Sequence, residues 1–254
     1  MRASSKVGRI ATAVIVCCIS LLYGGLAYGQ LNTVNAHVEI KKQSDSKTEK
    51  GGVAPSDLSD VVLWLKPLDH PASEAALTQR SHKRLQLIQK GKSFQPHVLV
   101  VPVGSEVDFP NRDPFFHNVF SLFDGKRFDL GLYEAGASNS VRFDRLGVSF
   151  LFCNIHPEMS AVVIAVDTPY YAVSDGAGNI TIANILEGRY EMHVWYERSL
   201  PEDLKALSRI VSVSSATKEL STIRVPENPN FSAAHKNKYG QDYVPPPAPG
   251  YLHP

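Results

Sequence analysis

Cys153-Asn154-Ile155-His156-Pro157-Glu158-Met159 places a thiol, an imidazole and a thioether within seven residues, in the spacing C-x2-H-x2-M. The run Ser149 to Cys153 leads into this stretch, and Ala161 to Val166 leads out of it. Both read as strands, the second as a continuous apolar run of the fully buried kind. A short loop between two strands would bring the three donors to one point. A shuffled chain would set His and Met at those two offsets from a cysteine on the order of once in a few thousand.

About 36 residues upstream lies His117, in Asp113-Pro114-Phe115-Phe116-His117-Asn118-Val119. Two imidazoles and a thiolate in a trigonal plane, with a weak axial methionine, are the donor set of a blue-copper site. Soft sulfur favours Cu(I), and imidazole suits both oxidation states. The sequence therefore predicts His117, Cys153, His156 and Met159 as ligands of one copper ion. Other chemistries lack their parts. Structural zinc wants a fourth Cys or His. No C-x-x-C-H occurs for covalent haem. A thiolate-bridged binuclear centre needs a second cysteine, and no His-x-His pair exists for the further coppers of a multicopper oxidase.

Around this loop the chain is rich in short strand-like runs separated by turn residues, which predicts an all-β fold. Val34 to Lys41 alternates in polarity, and Lys42 to Asp57 reads as a loop. Val61 to Leu65, Leu85 to Gln89, Phe94 to Val103, Phe128 to Leu132 and Ser140 to Phe143 are further strands, with a short helix expected over Ser73 to Gln79. A second unit is expected from Thr168. In it the turn Asp175-Gly176-Ala177-Gly178-Asn179 joins Tyr171–Ser174 to Ile180–Ala183, and Tyr190 to Tyr196 largely alternates. Pro201 to Ser208 is expected to hold one helical turn. Four segments follow: 1–29, 30–167, 168–228 and 229–254.

Residues 1–29 hold Arg2, Lys6 and Arg9 and no acid, then an apolar run from Ile10 to Tyr23 and small residues up to Gly29. This is the pattern of a cleaved secretory signal, and it predicts a periplasmic or secreted protein with no stable membrane insertion after cleavage. Cys17 and Cys18 would leave with it, so Cys153 is the one cysteine of the mature chain. A lone thiol in an oxidising compartment has no disulfide partner within its chain, which favours a metal. Of 26 basic residues, 23 remain against 25 acidic ones. A near-neutral chain gives no electrostatic reason to expect nucleic acid as a partner. From Ser232 apolar periodicity is lost, and Pro245-Pro246-Pro247-Ala248-Pro249 suggests an extended, mobile tail.

At these residues the sequence resembles the cupredoxins, in particular plastocyanin and amicyanin, over about Phe94 to Val166. Phe94-x-Pro96, Val98 to Val103, Gly104, Val107 and Asn111 look like the approach to that family's first histidine, and Val148 to Met159 like its ligand loop. The resemblance implies a Greek-key β-sandwich, one type 1 copper and the four ligands named above. It also implies that Asn118 ties the two ligand strands by a hydrogen bond to the Cys153 loop. His156 would be the electron exit, with Phe115, Phe116 and Pro157 as an apolar docking patch. The segment Pro169 to Tyr196 is similar to carboxypeptidase-regulatory, or transthyretin-like, modules, which implies a second, smaller β-sandwich and no catalysis. Proteins with this pairing are often labelled methylamine-utilisation-like.

The function these residues imply is electron transfer by a mononuclear copper protein, not an enzyme. Its partner would be a redox protein such as a c-type cytochrome or a periplasmic dehydrogenase. The alternative class is a non-catalytic binding or assembly module whose copper is incidental or structural. A copper-delivery protein would favour more exposed Met or Cys than this chain has.

Overall fold

The computed structural model describes residues 31–42, 57–69, 71, 85–122 and 125–243. The expected signal segment, most of the 42–57 loop and the helix expected over 73–79 lie outside them. The described chain is all-β apart from one short helix.

The segment that carries Cys153 belongs to a sandwich of two sheets. One has five strands: β6 (Val98–Pro102), β8 (His117–Ser121), β9 (Phe128–Tyr133), β11 (Gly147–Phe152) and β12 (Ser160–Val166), in the order β6-β12-β11-β8-β9. The other has three: β3 (Leu85–Gln86), β7 (Ser105–Pro110) and β10 (Ser138–Phe143), in the order β10-β7-β3. Phe94, Val101, Val107, Phe109, Phe143 and Leu151 fill the space between the two sheets, together with Cys153 and Met159. A small hairpin, β4 (Ile88–Gln89) with β5 (Phe94–Gln95), closes one end.

A second pair of sheets encloses a separate core. β1 (Asn32–Lys42) lies between β14 (Asn179–Ile185) and β17 (Ile223–Glu227). Facing it, β2 (Val62–Pro67), β13 (Tyr171–Val173), β15 (Gly188–Trp195) and β16 (Arg209–Val213) run in the order β13-β2-β15-β16. Val34, Ala36 and Val38 of β1 point inward while Asn35, His37 and Glu39 point out, the period-2 pattern read from the sequence. The turn at 175–179 is built by Asp175, whose Oδ1 accepts the N–H groups of Ala177 and Asn179. Gly178 sits at φ +81°, and a Cβ there would fall 2.6 Å from the Val38 carbonyl oxygen. The turn can therefore pack onto β1 only with glycine at that position. Pro201–Leu207 forms α1, opened by proline at its first turn.

These pairings correct the expected division of the chain. The expected segment 30–167 joins residues 32–67 to the strands around Cys153, but β1 and β2 pair with strands from 171–227 and complete the second unit. Alternation tells which face of a strand is buried, and it is silent on which distant strand supplies the partner.

The two units meet sheet to sheet. On β12, Ala161, Val163 and Ala165 face the first core, while Val162, Ile164 and Val166 face away. The second set packs with Val98, Val100 and Phe150 against Val62, Trp64 and Trp195 of the neighbouring unit. That explains the unbroken apolar run at 161–166, since a strand covered on both sides has no polar face. Two ion pairs cross the seam: His97–Glu197 at 2.7 Å and Lys66–Asp167 at 2.8 Å.

Candidate metal centre

β11 ends at Phe152, one residue before Cys153, and β12 begins at Ser160, one residue after Met159. The loop between them folds back on itself. The Cys153 N–H donates to the Met159 carbonyl at 3.3 Å, and the Met159 N–H donates to the His156 carbonyl at 3.1 Å. His117 opens β8, the strand beside β11. Cys153, His117 and Met159 are wholly buried, and the His156 ring is partly exposed.

Cys153 Sγ lies 3.8 Å from His117 Nδ1 and 3.6 Å from His156 Nδ1. The three ligand atoms all fall within 4.8 Å of one another. Metal bonds of roughly 2.0 Å to nitrogen and 2.3 Å to sulfur, at 120° to each other, set N and S about 3.7 Å apart. The two Sγ–Nδ1 distances match that separation. Among the described residues this is the one group of three or more His, Cys, Asp or Glu side chains so placed. Met159 shares the buried cluster with Cys153.

The site is braced by Asp113, to which the sequence assigns no role, and by Asn111. His117 Nε2 lies 2.8 Å from Asp113 Oδ2. A proton held on Nε2 leaves the Nδ1 lone pair facing Cys153, the arrangement in which a ligating histidine gives its other N–H to a carboxylate. Asp113 is fixed in turn. Its oxygens accept the Gly91 N–H at 2.6 Å and the Lys92 N–H at 3.0 Å. Gly91 and Lys92 are the two central residues of the β4–β5 hairpin, both at positive φ, as a two-residue turn of the primed type requires. Burial pushes the Asp113 carboxyl up, but the bonds from Lys92, His117 and Gly91 outweigh it and hold the group below the usual carboxylate range. Asn111 shapes the turn between: its Oδ1 accepts the Asp113 N–H, and its Nδ2 donates to the Phe115 carbonyl. Burial, reinforced by nearby His117, lowers the His156 pKa and favours the neutral ring that ligation needs.

Asn118 does not act as expected. Its Nδ2 donates to Asp129 Oδ1 at 2.7 Å and to the Gly131 carbonyl at 2.9 Å, both on β9. Its Oδ1 is buried without a hydrogen-bond partner. The tie runs from β8 to β9, and the expected bond to the Cys153 loop is not made.

Phe115 stands against both imidazoles, 5.2 Å from the His117 ring and 5.4 Å from the His156 ring. Phe115 (36% exposed), Phe116 (54%) and Ile155 (42%) lie open to solvent with Pro157 beside His156. The expected patch residues are therefore on the surface and not in the core. Residues 235, 238 and 243, in the segment expected to be an extended tail, contact the site, and the proline run 245–249 lies outside the described residues. No described helix is long and apolar enough to cross a membrane.

No family model matches the sequence, and no curated protein does. Solved structures similar to part of the chain include a purple cupredoxin from Nitrosopumilus maritimus, 26% identical, with 32% of this chain and 99% of that one covered, at a TM-score of 0.30. A copper-containing nitrite reductase from Thermus scotoductus SA-01 is 26% identical, at a TM-score of 0.32. That match spans 33% of this chain and only 22% of the reductase. A copper(I) form of an amicyanin variant is 17% identical, covering 41% of this chain and 98% of its own, at a TM-score of 0.32.

Proposed function

We propose that this protein is an extracytoplasmic electron carrier with one type 1 copper, built on a cupredoxin-like unit with a transthyretin-like module beside it. The observation that carries the reading is the convergence of Cys153 Sγ on His117 Nδ1 at 3.8 Å and His156 Nδ1 at 3.6 Å, all three side chains' ligand atoms lying within 4.8 Å of one another. A bound copper ion supplies reversible one-electron exchange between Cu(I) and Cu(II). The chain does the rest. Cys153 offers a thiolate, His117 and His156 offer neutral nitrogens, and Met159 is the axial candidate in the same buried cluster. Asp113 fixes the His117 ring, and the surrounding core excludes water.

His156 is the ligand nearest solvent, and Phe115, Phe116, Ile155 and Pro157 surround it with an apolar surface. An exposed apolar patch of this kind suits brief docking of a redox protein such as a c-type cytochrome or a periplasmic dehydrogenase. Residues 1–29 are the basis for the extracytoplasmic address.

Voltammetry of the copper-loaded mature chain tests the reading. A reversible one-electron wave is expected, and His156→Ala should slow electron exchange about tenfold or more with its β-sheet circular dichroism unchanged. A protein that binds copper but shows no reversible wave overturns the carrier assignment.

A further inference from the structure

The C-terminal segment reaches the Cys153 loop at three consecutive residues. The His235 ring stacks on Phe152, with centroids 4.1 Å apart and planes inclined by 27°. The Tyr243 hydroxyl donates to the Cys153 carbonyl at 2.7 Å. The Lys238 N–H donates to Asn154 Oδ1 at 3.0 Å. Lys238 also reaches β9, the strand paired with the β8 strand of His117, since its Nζ lies 2.8 Å from Asp129 Oδ2, and Asp129 Oδ1 is the acceptor for Asn118, the neighbour of His117.

These contacts supply what the sheet cannot. The ladder of β11 ends at Phe152, so the carbonyl of Cys153 has left the strand pairing, and a buried carbonyl requires a donor. Tyr243 is that donor. Its hydroxyl oxygen lies 3.3 Å from His235 Nδ1, which joins the two contact points. The segment also has its own turn: Asn237 Oδ1 accepts the N–H groups of Tyr239 and Gln241, and the Asn237 N–H donates to the Gln241 carbonyl.

We propose that residues 232–243 are a strap that positions the copper-ligand loop, with Tyr243 as its positioning residue, holding the Cys153 backbone so that the sulfur stays in the ligand plane. The strap does in this chain the work that the sequence assigned to Asn118: it links the Cys153 loop to the strand pair bearing His117. This inference rests on the copper reading for its purpose, but not for its test.

Tyr243→Phe removes the hydroxyl and keeps the ring against His235. Tyr239→Phe makes the same chemical change in the same segment at a position 71% exposed, and serves as the control. In the metal-free full chain, Cys153 of Tyr243→Phe should react with iodoacetamide about tenfold faster than wild type, with Tyr239→Phe matching wild type. In the copper-loaded chain, Tyr243→Phe should lose metal to a chelator faster by a similar factor and shift its visible absorption band, the range seen when a support behind a metal ligand is removed. Alkylation of Tyr243→Phe at the wild-type rate overturns the strap. If wild type takes up no copper while alkylation is accelerated in Tyr243→Phe alone, the strap stands and the copper reading falls.

Discussion

His117 Nε2 and Asp113 Oδ2 lie 2.8 Å apart, both shielded from solvent. Asp113 is itself pinned by two backbone N–H groups of the Gly91-Lys92 turn, so the carboxylate cannot swing away from the ring. The hairpin turn, the acid and the imidazole form one chain of support, which ends at the Nδ1 lone pair facing Cys153. Asp113→Asn should therefore raise the copper dissociation constant about 10–100-fold, measured by competition with a chelator of known affinity. Unchanged affinity would mean that packing alone orients His117.

A second prediction concerns the seam between the units. Trp195 is buried there against Phe150, and truncating a buried Trp costs about 3–5 kcal/mol. Urea unfolding of wild type should be a single transition by far-UV circular dichroism and by tryptophan fluorescence. Trp195→Ala should lower the midpoint and separate the loss of copper colour from the loss of sheet signal. Coincident curves in the variant would show that the units do not stabilise one another through this contact.

The ion pair across the same seam gives a pH dependence. The bond to Glu197 raises the His97 pKa, against the opposing pull of burial, and Asp60 adds to it. A raised folded-state pKa contributes stability that is fully present below the ordinary histidine value of about 6.5, and is lost as pH rises through the folded-state value. The stability difference between wild type and His97→Gln should then be about 0.2–1 kcal/mol at mildly acidic pH, the scale of an ion pair still partly open to solvent, and shrink towards alkaline pH. A difference that grows with pH would contradict the assignment.

The approach of Cys153 and His156 was legible because the two are local: spacing along a seven-residue stretch survives into space when strands flank it. His117 was legible for a related reason, as a histidine opening an apolar strand. Asp113 lay in plain view four residues before His117, and the signal that could have found it is a carboxylate one turn away from a candidate ligand. Tyr243 could not be found this way. It is 90 residues from Cys153, in a polar stretch with no periodicity, and its contact is a single hydroxyl. The partners of β1 were hidden too, since its alternation fixes an inward face and leaves open which core that face meets. The apolar run at 161–166 carried more than was read from it: a strand buried on both sides in a two-sheet sandwich requires a further layer, and that layer is the second unit.

The most direct measurement is the visible absorption and electron paramagnetic resonance of residues 30–254 with one equivalent of Cu(II). An intense thiolate-to-copper band with a narrow copper hyperfine splitting is expected, and both should vanish in Cys153→Ala. A colourless protein, or a band that persists without the Cys153 thiol, would contradict the copper site proposed from His117, Cys153, His156 and Met159.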